Sequence, residues 1–347
     1  MRAPRFLTTA GITILALGLT SCAGASPAED AAAESTGSDG ELTLYAGRDE
    51  ALIAPLIEKF TDDTGIEVIA RYGSSSELNA LLLEEGDNTP AQVFLSQDAG
   101  ALGSLSNAGL VAKIPEQLAE LIPAGFTSED DSWIGITGRA RVIAYDGEKL
   151  SEEEVPDAVD DLIAPEWNGR VGFAPGNASM QSFVTAYRVL EGEEAADAWV
   201  QGISENSPVL TESNGATLDL VNSGQLDIGL INHYYWFEDA AEVGADGMRA
   251  QLKFLPGDAG GMVNVTGAAI LSSAAEDPDA LEFLEYLVSE AGQRYFVENT
   301  FEYPLLPGVD APEGLPKLES LVNADLDLSN LASLEQTQEL LAKYGLL

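Results

Sequence analysis

The sequence predicts an α/β fold arranged as two lobes, and three observations carry that prediction. From Glu41 onward, short β-prone runs alternate with segments of helical periodicity. The stretch from Glu41 to Leu347 is long enough to bury a sizeable core and to divide in two. Two unusually long β-prone runs, 134–146 and 263–271, are long enough to cross from one lobe to the other and back.

The elements follow in order. Residues 42–46 form a first strand. Apolar residues at helical spacing run from Leu52 to Phe60, and Gly65 sits where a C-terminal cap belongs. Residues 66–70 form a second strand, after which Gly73, Ser74, Ser75 and Ser76 open a helix through Leu78, Leu81 and Leu82 that ends near Gly86. A third strand at 91–95 leads into a small-residue helix from Asp98. Such alternation argues for a parallel sheet with right-handed crossovers, in which ligands sit beyond the carboxyl ends of the strands. Asp49, Ser74, Gln97 and Asp98 each fall just past a strand, so they should gather at one edge.

The run 134–146 carries Arg139 and Arg141 in its middle. Strands at 170–174, 224–232 and 251–255, with helices near 181–190, 195–203 and 216–221, build a second α/β unit. The run 263–271 is the return crossing, and helices near 278–289, 292–299 and 334–344 complete the chain. The first lobe is then 41–140 with 264–315, and the second 141–263 with 316–347. No tandem repeat of fixed period interrupts this order.

Residues 1–21 read as a targeting segment. Arg2 and Arg5 form a basic region, and the apolar stretch 6–19 is too short for an ordinary spanning helix. Leu19-Thr20-Ser21-Cys22 resembles a bacterial lipobox, in which the cysteine is lipidated and becomes the mature N-terminus; the structural alternative is a chance cysteine after a secretory signal. Cys22 is the only cysteine, which excludes an internal disulfide. Residues 22–40, rich in Ala, Ser, Gly and acid, read as a flexible tether. The formal charge of -42 argues against nucleic acid as a partner and against docking on anionic lipid by charge, so membrane attachment would come through the lipid anchor alone. It is compatible with a cation ligand but is weak evidence for one, and a solvated acidic surface is the favoured reading. With one histidine, one cysteine and neither a nucleophile elbow nor a phosphate loop, an enzyme has little to stand on.

Tyr234 and Tyr235 lie just after a strand of the second unit, in the run INHYYW. Adjacent phenols can turn two oxygens toward one cavity, and phenolate is a hard anionic ligand suited to a small, highly charged cation. The structural alternative is a partly buried aromatic patch.

With that pair in place, the body from about Glu41 to Leu347 resembles the ferric-iron-binding proteins of ABC importers. Four stretches carry the resemblance: LYAGRD (44–49), TGRARVIAYD (137–146), NHYYW (232–236), and GQR (292–294) with EYPL (302–305). It implies a type II periplasmic-binding fold, with mixed, mostly parallel sheets, flanking helices and two crossing hinge strands. It implies a lipid-anchored, extracytoplasmic monomer that captures Fe(III) between its lobes and passes it to an ABC importer permease. In the family the adjacent tyrosines bind Fe(III) from the second lobe, which carries over to Tyr234 and Tyr235.

The first lobe departs from the pattern. Where some members place a metal-binding histidine this chain has Asp49-Glu50, and where others place a glutamate it has Gln97 followed by Asp98. Asp49 and Asp98 are the carboxylates carried forward as ligands, with helix capping as the alternative reading. A third tyrosine used in one branch would fall near Ser179. The family often completes the coordination with a bound anion, here carbonate, phosphate or citrate. The matching positions are Asn177, Ala178, Ser179, Asn214 and Asn232, with Arg139 or Arg141 as a pairing cation; each also has a reading as a cap or a bridge to acids. His233 is read as a packing residue. The alternative function keeps the fold and changes the ligand to an organic solute of thiamine, polyamine or phosphonate type.

Overall fold

The computed structural model describes residues 38–323 and 325–347; the targeting segment, Cys22 and most of the tether lie outside them. The first half begins with β1 (Glu41–Ala46), α1 (Glu50–Thr64), β2 (Glu67–Tyr72), α2 (Ser75–Glu85), β3 (Val93–Ser96) and α3 (Ala99–Asn107), with a short α4 (Glu116–Ala119). The long strand β4 (Ile134–Asp146) follows. Next come β5 (Val171–Phe173), α5 (Ala178–Glu191), α6 (Glu193–Glu205), β6 (Val209–Leu210), α7 (Asn214–Asn222), β7 (Ile228–Asn232), α8 (His233–Val243) and β8 (Ala250–Phe254). The second long strand, β9 (Val263–Ile270), leads to α9 (Pro278–Val288), α10 (Glu290–Thr300), β10 (Tyr303–Pro304), α11 (Leu318–Leu321) and α12 (Leu334–Lys343). Among the described residues no helix is long and apolar enough to cross a membrane.

The strands form one sheet in the order β2-β1-β3-β9-β4-β7-β5-β6, with β8 and β10 both pairing β4. β1 runs parallel to β2 and β3, and β5 parallel to β6 and β7. Each of these parallel sets needs a crossover, which the helices between them supply. β4 and β9 are antiparallel to every strand they pair with. β4 therefore joins two parallel half-sheets. All thirteen of its residues and all eight of β9 are buried, as strands covered on both faces must be.

Local chemistry explains the element ends. Asp49 caps α1 by accepting from the Ala51 amide, and Gly65 ends that helix at φ 82°, a left-handed conformation that glycine adopts without a Cβ penalty. Ser74 and Glu77 make a reciprocal capping box at the start of α2. A side chain at Gly135 is sterically barred, because a Cβ there would lie 2.3 Å from the Phe126 carbonyl oxygen. The first half packs α1 on α9 through the edge contact of Phe60 with Phe283, centroids 5.0 Å apart. In the second, Phe183 meets Trp199 edge-on at 5.3 Å, and the Trp199 indole donates to the Val159 carbonyl. The 3-10 turn Leu328–Ala332 packs on both α3 and α5, so the C-terminal segment touches both halves before α12 settles on α5 and α6.

One ion pair ties the crossing strands to β1. Arg48, just past β1, donates to the Glu302 carboxylate at 2.5 Å and to Thr266 of β9 at 2.7 Å. Thr137 of β4 also donates to Glu302. The side chains of Arg48 and Glu302 are essentially inaccessible. Burial alone would lower the Arg48 pKa, but the Glu302 carboxylate, with the phenols of Tyr234 and Tyr235 adding to it, carries it above the usual value. Glu302→Gln keeps the volume and strands the Arg48 charge. Urea unfolding should then show a loss of about 3–5 kcal/mol. A loss of less than about 1 kcal/mol, the scale of an exposed pair, would mean the pair does not hold these strands together.

Candidate functional site

A cleft of about 620 Å³ opens at the carboxyl ends of β1, β3 and β7. One wall is the turn after β1, with Arg48, Asp49 and Glu50, joined by Ser74 and Gln97. The opposite wall is α8, with Tyr234, Tyr235 and Glu238, joined by Asn177. This is the edge at which ligands of open α/β sheets sit.

The two phenols occupy the first turn of α8, directly after β7. Their rings stack at 4.4 Å between centroids with planes 26° apart. Tyr234 is buried and Tyr235 partly so. Burial raises the Tyr235 pKa, and the charge of Tyr234 adds to the rise. A phenolate there would face the positive end of the helix, which favours negative charge. The guanidinium of Arg48 lies 6.0 Å from the Tyr234 ring centroid.

Behind this wall sits a buried guanidinium. Arg141 pairs with Asn232 across the β4–β7 ladder. Its Nη1 donates to Ser179 Oγ at 3.2 Å, with the amide oxygens of Asn232 and Asn214 at 3.4 and 3.5 Å. Asn214 donates to Ser179 Oγ at 3.1 Å, and Ser179 donates to Asn177 Oδ1 at 2.6 Å. Asn177 also caps α5, and Asn214 opens α7. None of these partners is acidic, and burial pulls the Arg141 pKa down to about 9. A buried cation held only by neutral groups is costly, and a small anion arriving among these donors would relieve it.

The four polar residues predicted to hold an anion thus come together around one cation, but that cation is Arg141. Arg139 is almost wholly enclosed and donates to the Val265 carbonyl, while its Nε and Nη1 lack partners among the described residues. Neither arginine lines the cleft; Arg139 is set apart by its place beside the Asp98 carboxylate rather than among the four polar residues. Asp98 is buried as the N-cap of α3, accepting from the Ala101 amide, and burial raises its pKa. It lies outside the cleft lining, committed to its capping role. Asp49 is exposed and lines the cleft while capping α1; a carboxylate used in a cap keeps lone pairs for other partners. His233 is wholly buried: Nδ1 accepts from the Ala140 amide at 3.2 Å and Nε2–H donates to the Phe301 carbonyl at 3.0 Å. Burial pushes its pKa down to about 4, so the ring is neutral and structural.

Sequence reasoning did not single out Glu238 or the Arg48–Glu302 pair. Glu238 stands four residues after Tyr234 and three after Tyr235, a spacing that places it on their face of a helix. Its signal was legible once α8 was known to start at His233. Among the described residues no group of three or more His, Cys, Asp and Glu side chains could hold a metal.

Residues 88–325 match the family model for bacterial extracellular solute-binding proteins. The chain is 32% identical to the Fe(3+)-binding periplasmic protein of Serratia marcescens, over 91% of this chain and 93% of that protein. Iron-bound HitA from Pseudomonas aeruginosa superimposes with a TM-score of 0.83 at 32% identity, covering 88% of this chain and 99% of the other. A Trichodesmium protein solved with iron and citrate ligands superimposes with a TM-score of 0.77 at 29% identity, covering 88% and 100%.

The Arg141 cluster yields a test in the unloaded protein. Phosphate or bicarbonate should raise the melting temperature in a saturable way, and Arg141→Gln should abolish the rise. An equal rise in the variant would place the anion elsewhere.

Proposed function

The chain belongs to the bacterial extracellular solute-binding protein family, among its ferric-ion-binding members, and from that premise we propose that it captures Fe(III) in the cleft beside α8 and delivers it to the permease of an ABC importer. The observation that carries this reading is the stacked pair of phenols on the cleft wall. Two phenolates supply hard anionic oxygen of the kind a small trivalent cation prefers. Their rings are already stacked on each other, 4.4 Å apart, which leaves no slot between them for a flat organic solute. The stacking argues against a flat, thiamine-type ligand between the rings, and the paired phenol oxygens favour iron over a polyamine or phosphonate, neither of which needs them.

In the proposed loaded state, Tyr234 and Tyr235 bind iron from the α8 wall and Asp49 approaches from the other. Carbonate, phosphate or citrate would complete the coordination and neutralise Arg141, with Asn177, Ser179, Asn214 and Asn232 as its further partners. Asp98 is left out of the ligand set because it is buried at the start of α3, away from the cleft lining that includes Asp49. The lobes proposed are 41–140 with 264–315 and 141–263 with 316–347, closing about the crossings of β4 and β9 as a hinge. The protein would act as a monomer, held at the outer face of the membrane by lipid on Cys22, and would perform no chemistry on its cargo.

Loading must strip the phenolic protons, because a bound cation favours the deprotonated oxygen. Burial raises the Tyr235 pKa, which makes the proton a stronger competitor. About two protons should leave per iron, so affinity falls as the pH falls. Ferric titration should produce a visible phenolate-to-iron charge-transfer band that saturates at one iron per chain and fades on acidification. Tyr234→Phe and Tyr235→Phe should each lose most of the band and weaken iron binding by at least about tenfold. A protein that stays colourless with ferric salt, yet is stabilised against heat by an organic solute, would overturn the iron reading.

A further inference from the structure

Glu238 lines the cleft on the same helix face as the phenols, and its role is unassigned by the reading above. On α8 it is four residues from Tyr234 and three from Tyr235, spacings that bring Cβ atoms to about 5–6 Å. Its Oε1 is enclosed and has no hydrogen-bond partner among the described residues. Arg48 is near enough to act on it electrostatically but bonds Glu302 instead. A carboxylate oxygen that is both enclosed and unpartnered is costly, and calls for an occupant. Burial, with the Glu302 charge adding to it and Arg48 opposing, pushes the Glu238 pKa up to about 7, in keeping with a group awaiting a counter-charge.

We propose that Glu238 is a third iron ligand, so that Tyr234, Tyr235 and Glu238 of one helix supply most of the metal site. The proposal rests on the ferric reading above and gives it a charge balance. Two phenolates and one carboxylate bring three negative charges to a trivalent cation on the α8 wall alone, before Asp49 approaches from the other side. The bound anion is then left to neutralise Arg141, while Arg48 and Glu302 neutralise each other. All three donors are hard oxygens, consistent with the same cation. The iron would be held by α8 before the opposite wall arrives, and closure of the lobes would add Asp49 rather than assemble the site from nothing.

Glu238→Gln tests this by spectroscopy and citrate competition on the full chain, with Glu242→Gln, one turn further and exposed, as the control for lost helix charge. Wild type and both variants should bind ferric iron and colour. In Glu238→Gln the band should move to longer wavelength, because losing an anionic donor makes the iron a stronger electron acceptor. It should also surrender iron at a citrate concentration at least about tenfold lower than wild type, while Glu242→Gln matches wild type. Unloaded Glu238→Gln should melt at or above the wild-type temperature, since an unpaired carboxylate is removed. An unshifted band with wild-type citrate resistance would overturn the proposal while leaving the ferric reading intact. A clear drop in the melting temperature of the unloaded variant would also overturn it, by making the carboxylate a structural group. A colourless wild type would overturn both.

Discussion

The guanidinium of Arg141 is buried near the phenols of Tyr234 and Tyr235 with no carboxylate beside it among the described residues, and its polar neighbours gather around that uncompensated charge. Neutral oxygens can hold a guanidinium but cannot cancel its charge, so the cluster of Ser179, Asn214 and Asn232 remains short of one negative charge. The position follows from the backbone. Thr137, Arg139 and Arg141 alternate along β4 and so share one face of it. Thr137 reaches the Arg48–Glu302 pair, Arg139 lies near Asp98, and Arg141 reaches the starts of α5 and α7. A single buried strand thereby lines up three charge arrangements, two containing an acid and one open.

The outer wall of the cleft complements this. α8 begins immediately after β7, which puts Tyr234 and Tyr235 at the positive end of a helix and beside Arg48. Both surroundings favour phenolate over phenol, whereas burial favours the neutral form. At Tyr235 burial is the larger effect, so that oxygen keeps its proton until a cation displaces it. His233, one residue before the pair, is buried edge-on to the Tyr234 ring and bonds backbone groups at Ala140 and Phe301, which fixes the start of α8 against β4.

Much of this was legible in the sequence, and the remainder was hidden for identifiable reasons. β4 was placed at its observed limits because the thirteen residues from Ile134 to Asp146 form one long β-prone run. The capping residues Asp49, Ser74 and Asp98 fell just past strands, and periodicity located them well. Strand alternation could not separate Arg139 from Arg141, since both lie on the same face; what separates them is which half of the sheet each reaches. β6 and β10, at two residues each, are too short to carry a period, and β10 exists only because β4 pairs with it. Glu302 gains its partner from a residue 254 positions away, a contact that no local pattern encodes.

The central claim is that iron sits on the phenols of α8. Crystals of the protein loaded with ferric salt and bicarbonate, measured on both sides of the iron absorption edge, locate the metal directly. The account predicts one strong anomalous peak within bonding distance of both the Tyr234 and Tyr235 phenol oxygens. A peak bound by surface carboxylates alone, or none at all from loaded crystals, would contradict it.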